Sequence, residues 1–150
     1  MGTQEALARR LTVLVLAASL PAFMAGASMA AGPYTPKRGS AERKAVLDVV
    51  RKPVERGMKQ KVIFIVDKLR VQGKWAFVQP RPRSLKMGML SFKGTRWEKD
   101  HKGGFIDDGL AALLRRDRQG WLVIQWVMGP TDVAWEPWPK EYGAPTALFR

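Results

Sequence analysis

The segment that decides the fold is residues 62–78, VIFIVDKLRVQGKWAFV. β-Branched and aromatic residues dominate both of its halves, and Gln72-Gly73-Lys74 between them is typical of a tight turn. The segment therefore predicts an antiparallel hairpin. Pro80 and Pro82 are expected to stop its second strand, because a proline cannot donate a hydrogen bond to a central ladder.

A second hairpin is predicted further along the chain. Its first strand covers Gly109 to Arg116, its turn is Asp117-Arg118-Gln119-Gly120, and its second strand covers Trp121 to Met128. The second strand is apolar on both faces except at Gln125, which predicts a central strand covered by a helix on one side. Trp126 is expected to lie inside.

A helix is predicted before the first hairpin. Ser40 is a suitable N-cap, Glu42 follows in the first turn, and an apolar stripe runs from Ala45 to Val54. Pro53 should kink the helix or end it near Arg51, although a further turn could follow. The fold class predicted is α+β, with an amphipathic helix packed on a curved antiparallel sheet of about four strands.

The first residues have the layout of a cleavable secretory signal. Arg9 and Arg10 precede a ten-residue apolar run from Leu11 to Leu20, and small residues follow up to Ala31. The run is about half of what a bilayer span requires. We predict a signal peptide over residues 1–31, a flexible lead-in over 32–39 and a single domain over 40–150, located in the periplasm or secreted.

The charge after residue 31 is strongly positive, at +12, and is concentrated in two segments. Residues 37–61 carry +6 and residues 81–102 carry +5. Such charge favours an anionic envelope component as partner, for example phospholipid, lipopolysaccharide or wall polymer. Nucleic acid is less favoured because the cations are dispersed. The alternative is that the charge reflects composition or solubility alone.

The long loop from Arg83 to Gly104 holds most of the predicted binding residues. It has little periodicity, which favours a functional loop, a disordered one, or a short hidden strand around Met87 to Phe92. Trp97 either stacks on a ligand as an exposed aromatic or anchors the loop to the body. The predicted binding residues, two of which follow the second hairpin, are Lys86, Lys93, Arg96, Trp97, Lys99, Lys102, Trp135 and Trp138.

Three residues are candidate acids or bases: His101, Asp108 and Asp132. His101 would need a carboxylate such as Asp107 or Asp108 beside it, and is otherwise an exposed loop histidine. Asp108 is otherwise part of a turn or a partner for an arginine. Thr131 or Asp132 can cap a short helix that places Trp135 and Trp138 on one side, and the alternative for Asp132 is a polar group at the rim of an aromatic pocket. The chain has no cysteine and one histidine, so we expect no metal and no cofactor.

The order of one helix and two hairpins is similar to the cystatin-like and nuclear-transport-factor-like α+β folds, in which a curved sheet wraps the helix. A more specific pattern is formed by Val62-Ile63-Phe64-Ile65-Val66, Leu69-Arg70-Val71, Gly73, Trp75-Ala76-Phe77, Asp107-Asp108-Gly109, Ala112-Leu113-Leu114, Trp121, Trp126-Val127, Asp132-Val133, Trp135 and Tyr142-Gly143-Ala144-Pro145. With this pattern, the chain from Ser40 to Phe149 resembles a group of small exported bacterial proteins of unassigned function. The resemblance implies no particular activity.

Two hypotheses follow. The first is a non-enzymatic binding or accessory module of the bacterial envelope with a basic face. The second is a small enzyme, or a binder of an apolar ligand, with a pocket inside the curved sheet lined by Phe64, Trp75 and Trp126. A desolvated carboxylate in an open pocket would favour the second, whereas a filled sheet with its carboxylates paired to arginines would favour the first.

Overall fold

Both predicted hairpins are present in the computed structural model, which describes residues 31–150. The predicted signal peptide, apart from Ala31, lies outside the described residues. The elements are α1 (Ala41–Met58), β1 (Ile63–Gln72), β2 (Trp75–Arg83), α2 (Glu98–Lys102), β3 (Leu110–Asp117), β4 (Gly120–Met128), α3 (Trp138–Tyr142) and a final 3-10 turn (Thr146–Phe149). The four strands form one antiparallel sheet in the order β1-β2-β3-β4, so the fold class is α+β.

Helix α1 starts at the predicted cap, where the Ser40 side-chain oxygen accepts a hydrogen bond from the Arg43 N–H at 3.2 Å. It does not end near Arg51 but continues through Pro53 to Met58. Val54 and Met58, which follow the proline, are buried in the core. The free energy gained by their burial offsets the cost of the helix hydrogen bond that is lost at Pro53. Lys59, in the left-handed conformation with a φ of 55°, caps the helix.

Strand β2 extends through Pro80 and Pro82 to Arg83, which corrects the expectation that these prolines stop it. β2 pairs with β3 only from Trp75 to Val78, and beyond Val78 it pairs with β1 alone. The two prolines therefore lie where one side of the strand has no neighbour, and there a missing N–H costs no ladder bond.

Strand β4 was predicted to be central, and it is instead at the edge of the sheet. Its two apolar faces are explained by cover on both sides of the sheet. Trp121 and Met128 join the core beneath α1, while Ile124 and Val127 pack against the C-terminal segment. A strand buried on both faces has the same sequence pattern at an edge as in the centre.

Two apolar clusters hold the layers together. The first joins α1 to one face of the sheet, with Val46, Val50 and Val54 packed in the same cluster as Leu69 and Leu114. The second lies on the opposite face and surrounds Phe77, whose ring centroid is 4.7–6.3 Å from those of Trp135, Trp138 and Phe149. The sheet is therefore the middle layer of three.

The lead-in predicted to be flexible is in contact with the body. Tyr34 forms a backbone bridge with Val71, with hydrogen bonds of 2.9 and 2.8 Å, and its hydroxyl donates to the Glu42 carboxylate. Pro36 is buried. Of the helices formed by residues 31–150, none is both long and apolar enough to cross a membrane.

Candidate functional site

The long loop folds onto the core instead of standing free. No strand forms between Met87 and Phe92. Leu90, Phe92 and Trp97 are all buried in the cluster beneath α1. The interpretation of Trp97 as an exposed stacking group is therefore wrong, and the alternative, that it anchors the loop, is the one the structure shows.

Trp97 lies between helix and sheet. Its ring reaches the backbone of Gly57 in α1, and its centroid is 5.6 Å from that of Trp126 in β4. The Arg96 guanidinium carbon lies 4.3 Å above the Trp97 ring and 5.8 Å from the Trp126 ring. Arg96 is thus held against two tryptophans, an arrangement that stabilises the loop by cation–π attraction.

Two side chains at the end of α1 tie the loop down. Lys59 Nζ donates to the Gly94 carbonyl and Gln60 Nε2 to the Ser91 carbonyl, each at 2.7 Å. These bonds join residues more than thirty positions apart in sequence. The C-terminal end of α1 and residues 91–94 therefore form one continuous surface.

The register of the first hairpin brings a third segment to the same surface. Ile63, which follows α1, is paired with Arg83, so residues 84–89 leave the sheet beside the end of the helix. A groove of about 550 Å³ lies along the C-terminal part of α1 and the residues after it, lined by Lys52, Glu55, Arg56, Lys59, Gln60 and Lys61. We call this surface the basic end, defined by Lys52, Arg56, Lys59, Lys61, Lys86 and Lys93.

The cations of the basic end differ in how they are engaged. Lys61 Nζ contacts the Glu55 carboxylate at 2.9 Å, and Lys59 is held by Gly94. Burial acts to raise the pKa of Glu55, but hydrogen bonds from Lys61 and the Val62 N–H outweigh it and lower that pKa. Within residues 31–150 the other four, Lys52, Arg56, Lys86 and Lys93, make no ion pair, so their charge is available to a ligand.

The remaining predicted cations lie on or beside α2. Lys102 contacts Glu98 at 2.7 Å, and Glu98 also accepts the Gly94 N–H at 2.7 Å. The hydrogen bond from Lys102, followed by that from Gly94, lowers the pKa of Glu98. Lys99 is exposed. Of the five predicted cations, Lys86, Lys93 and Lys99 are therefore free within the described chain, whereas Arg96 and Lys102 have local partners.

The structure separates the three candidate acids and bases. The ring of His101 stacks on Phe92 at 4.1 Å, and its pairing with Asp107 or Asp108 is not observed. Asp108 forms an ion pair with Arg83, the only charged residue among those buried in residues 31–150. Asp132 is exposed and accepts the Val133 N–H at 2.7 Å, so it stabilises a turn. Asp108 is thus the partner of an arginine, and His101 is exposed, on α2 instead of in a loop. Asp132 caps no helix, because α3 begins only at Trp138.

A small cleft of about 260 Å³ lies where β2 and β3 separate, and Asp107, Asp108 and Trp135 contribute to its lining. Asp107 accepts the Gly109 N–H at 2.6 Å. Asp67, on the same lining, makes two hydrogen bonds with Arg81, at 2.8 and 2.9 Å. The carboxylates of this cleft are therefore all engaged by arginine or backbone donors.

The predicted helix from Thr131 or Asp132 does not form, and α3 begins only at Trp138. Trp138 is buried against Phe77, so it is not free to contact a ligand. Trp135 is half-buried and borders the small cleft. The tryptophan pair predicted for one helix face is thus divided between core and surface.

The aromatic pocket predicted inside the sheet does not form from the residues named for it. Phe64 and Trp126 pack with the cluster beneath α1, whereas Trp75 belongs to the cluster on the opposite face. A sheet separates them, so they cannot line one cavity. Among residues 31–150, no three His, Cys, Asp or Glu side chains are grouped so that they could hold a metal ion.

A second basic cleft was missed by the sequence reasoning. It measures about 360 Å³ and is lined by Thr35, Pro36, Lys37, Arg38, Arg43 and residues 66–70. The lead-in supplies two of its cations, and the edge strand β1 supplies Lys68 and Arg70. The signal for it is the Lys37-Arg38 pair, which the sequence places in a lead-in expected to be flexible.

No family model, curated protein or solved structure matches this chain.

Proposed function

We propose that this chain is an exported protein of the bacterial envelope, and that it acts as a non-enzymatic binding or accessory module whose basic end holds an anionic partner. The observation that carries the proposal is the tie between α1 and the loop through Lys59 and Gln60. It brings cations from two distant segments together on one ordered surface, with Lys52, Arg56, Lys86 and Lys93 free of ion pairs within residues 31–150.

The state of the carboxylates also supports a binding role. Asp108 is paired with Arg83, Asp67 with Arg81 and Glu42 with Arg116. The face of the sheet beneath α1 is filled by side chains. A filled sheet with these three acids paired to arginines is the arrangement expected of the binding module rather than of the small enzyme or apolar-ligand binder.

Within this proposal the fold is cystatin-like or nuclear-transport-factor-like, and the chain is related to small exported bacterial proteins of unassigned function. Support comes from the order of α1 before a four-stranded antiparallel sheet, and from the packing of Val46, Val50 and Val54 on one sheet face.

Export is supported by the charged start, the apolar run and the small residues before Ala31. Mass spectrometry of protein from the envelope fraction should find a terminus near Ala31; an intact Met1 in cytoplasmic protein would contradict export.

The partner class is phospholipid, lipopolysaccharide or wall polymer, with nucleic acid less favoured. The proposal is tested by binding of the purified protein to vesicles containing phosphatidylglycerol, measured across a salt series. The variant K52Q/K86Q/K93Q removes three cations of the basic end that have no ion pair in the described chain. Each cation near an anionic surface contributes about 1 kcal/mol to binding before screening. Because salt screens part of that contribution, we expect the loss of three cations to weaken binding roughly tenfold.

The matched control is K74Q/R115Q/R118Q. These three residues lie at or beside the β1–β2 and β3–β4 turns, at the opposite end of the sheet from Arg83. The control should bind nearly as well as the unmodified protein. Equal losses in the two variants, or no binding to anionic vesicles at physiological salt, would show that the positive charge is a general property of the surface and not a site.

A further inference from the structure

Residues 84–89 expose three large apolar side chains at the basic end. Leu85, Met87 and Met89 are 65%, 59% and 61% exposed, whereas the next residue, Leu90, is 7% exposed and belongs to the core. Exposed apolar residues scattered singly are ordinary on protein surfaces. Three within five residues form a patch, and contiguous apolar patches of this kind mark interaction sites.

The backbone holds these side chains outward. The Ser84 N–H donates to the Gly88 carbonyl at 2.9 Å, the Met87 N–H to the Ser84 carbonyl at 2.8 Å, and the Gly88 N–H to the Ser84 hydroxyl at 3.1 Å. Met87 has a φ of 64°, a conformation that a non-glycine residue adopts infrequently. The loop is therefore a closed turn whose apolar side chains project from it.

Cations flank this turn along the chain and on the paired segment. Lys86 lies within the turn and Lys93 follows it. Arg83, just before the turn, is paired with Ile63, and Ile63 follows Arg56 at the end of α1 and Lys61 after the helix. An apolar turn flanked by cations matches the two layers of an anionic bilayer, since headgroups attract the cations and the acyl boundary accepts the apolar side chains.

We propose that Leu85, Met87 and Met89 insert into the surface of an anionic phospholipid bilayer, while the basic end contacts the headgroups. This inference rests on the proposed function and selects phospholipid from its partner classes. Wall polymers and nucleic acids attract cations equally well, but they offer no apolar layer to three projecting side chains. The positive charge of the flanking cations also favours an anionic bilayer over an uncharged apolar groove on another protein.

The test compares two double variants of the full exported protein. L85S/M87S removes apolar side chains from the turn, and L122S/V133S removes exposed apolar side chains from elsewhere, where Leu122 and Val133 are 46% and 48% exposed. Binding is measured on vesicles of phosphatidylglycerol mixed with phosphatidylcholine. L85S/M87S should bind on the order of tenfold more weakly, with an unchanged salt dependence, because the apolar contribution is not screened. L122S/V133S should bind like the unmodified protein.

A second measurement places the turn in the lipid. In the variant L85W, brominated phospholipids in the vesicle should quench tryptophan fluorescence more strongly than in the unmodified protein, because a bromine quenches only an indole within the bilayer. Thermal melts of all variants should be unchanged, since the substituted side chains are exposed.

The outcomes separate this inference from the proposed function. If K52Q/K86Q/K93Q loses binding while L85S/M87S does not, or if L85W shows no added quenching, insertion is overturned and the basic-end proposal stands. If L85S/M87S loses binding to polyphosphate, which has no apolar phase, as much as to vesicles, insertion is also overturned. If the unmodified protein ignores anionic vesicles and polyphosphate alike, both proposals fall.

Discussion

The indole ring of Trp97 occupies the space in which a side chain on Gly57 would stand. A Cβ built on Gly57 would lie 2.8 Å from Cη2 and 3.0 Å from Cζ3 of that ring. Gly57 is inside α1, a position where glycine is normally unfavourable. The close approach of a buried ring from the long loop explains why glycine is suited to this position.

The first prediction is that Gly57→Ala lowers stability, although the same change inside a helix ordinarily raises it by about 1 kcal/mol. Overpacking against the ring should cost about 1–3 kcal/mol and outweigh that gain. Urea unfolding measures the difference. In a Trp97→Ala background the collision is removed, so Gly57→Ala should then be neutral or stabilising. An equal loss in both backgrounds would show that Trp97 is not the cause.

The second prediction is that Trp97→Ala is strongly destabilising, by about 3–5 kcal/mol, because Trp97 is buried. Trp126, in contact with it, is only partly buried, so Trp126→Ala should cost no more than Trp97→Ala. The sequence pattern predicts Trp126 to lie inside, whereas the structure buries Trp97 more fully than Trp126. Thermal melts of the two variants compare them. A loss within about 0.5 kcal/mol for Trp97→Ala would mean that the loop is not packed on α1 in solution.

Trp97 also shows where prediction from sequence reached its limit. Its neighbours Arg96, Lys99 and Lys102 indicate solvent, and nothing local to it indicates burial. Burial is decided by Gly57, forty positions earlier in the chain, where the absence of a side chain makes room for the ring. Contacts of this range leave no periodic signal, whereas the two hairpins do, because alternation and turn residues are local properties.

The same reasoning applies to the candidate site. The sums of charge in residues 37–61 and 81–102 were available from the sequence, and those two segments do meet at the basic end. The sequence does not reveal which of these cations stay free, because that depends on spatial partners such as Glu55 for Lys61 and the ring of Trp97 for Arg96. The position of β4 at the edge of the sheet was likewise not predictable, because the C-terminal segment covers its second face and gives it the apolar pattern of a central strand.

The third prediction concerns the pair formed by Arg83 and Asp108. The side chain of Arg83 is 11% exposed, so Asp108→Ala would leave a nearly buried guanidinium without its carboxylate. We expect a loss of about 1–3 kcal/mol, below the value for a fully buried pair because Asp108 is itself partly exposed.

The matched comparison is the exposed pair of Asp67 and Arg81, in which both side chains are more than 40% exposed. Asp67→Ala should cost no more than about 1 kcal/mol. Chemical denaturation of both variants provides the measurement. A larger loss for Asp67→Ala would contradict the assignment of Asp108 to a structural role.

The fourth prediction concerns acid stability. Hydrogen bonds from Lys61 and the Val62 N–H lower the pKa of Glu55 in spite of its burial. A carboxylate with a lowered pKa in the folded state stabilises the protein above its unfolded pKa, about 4.3 for glutamate, and loses that contribution as the pH falls through the folded value. Glu55→Gln should therefore cost about 1 kcal/mol at neutral pH, and the difference from the unmodified protein should shrink as the pH is lowered below about 4. Urea unfolding from pH 7 to pH 3 measures this.

Glu141→Gln is the control, because Glu141 is exposed and makes no ion pair within residues 31–150. A gap for Glu55→Gln that stays constant or widens on acidification would mean that the carboxylate is not held by Lys61 and Val62 in solution.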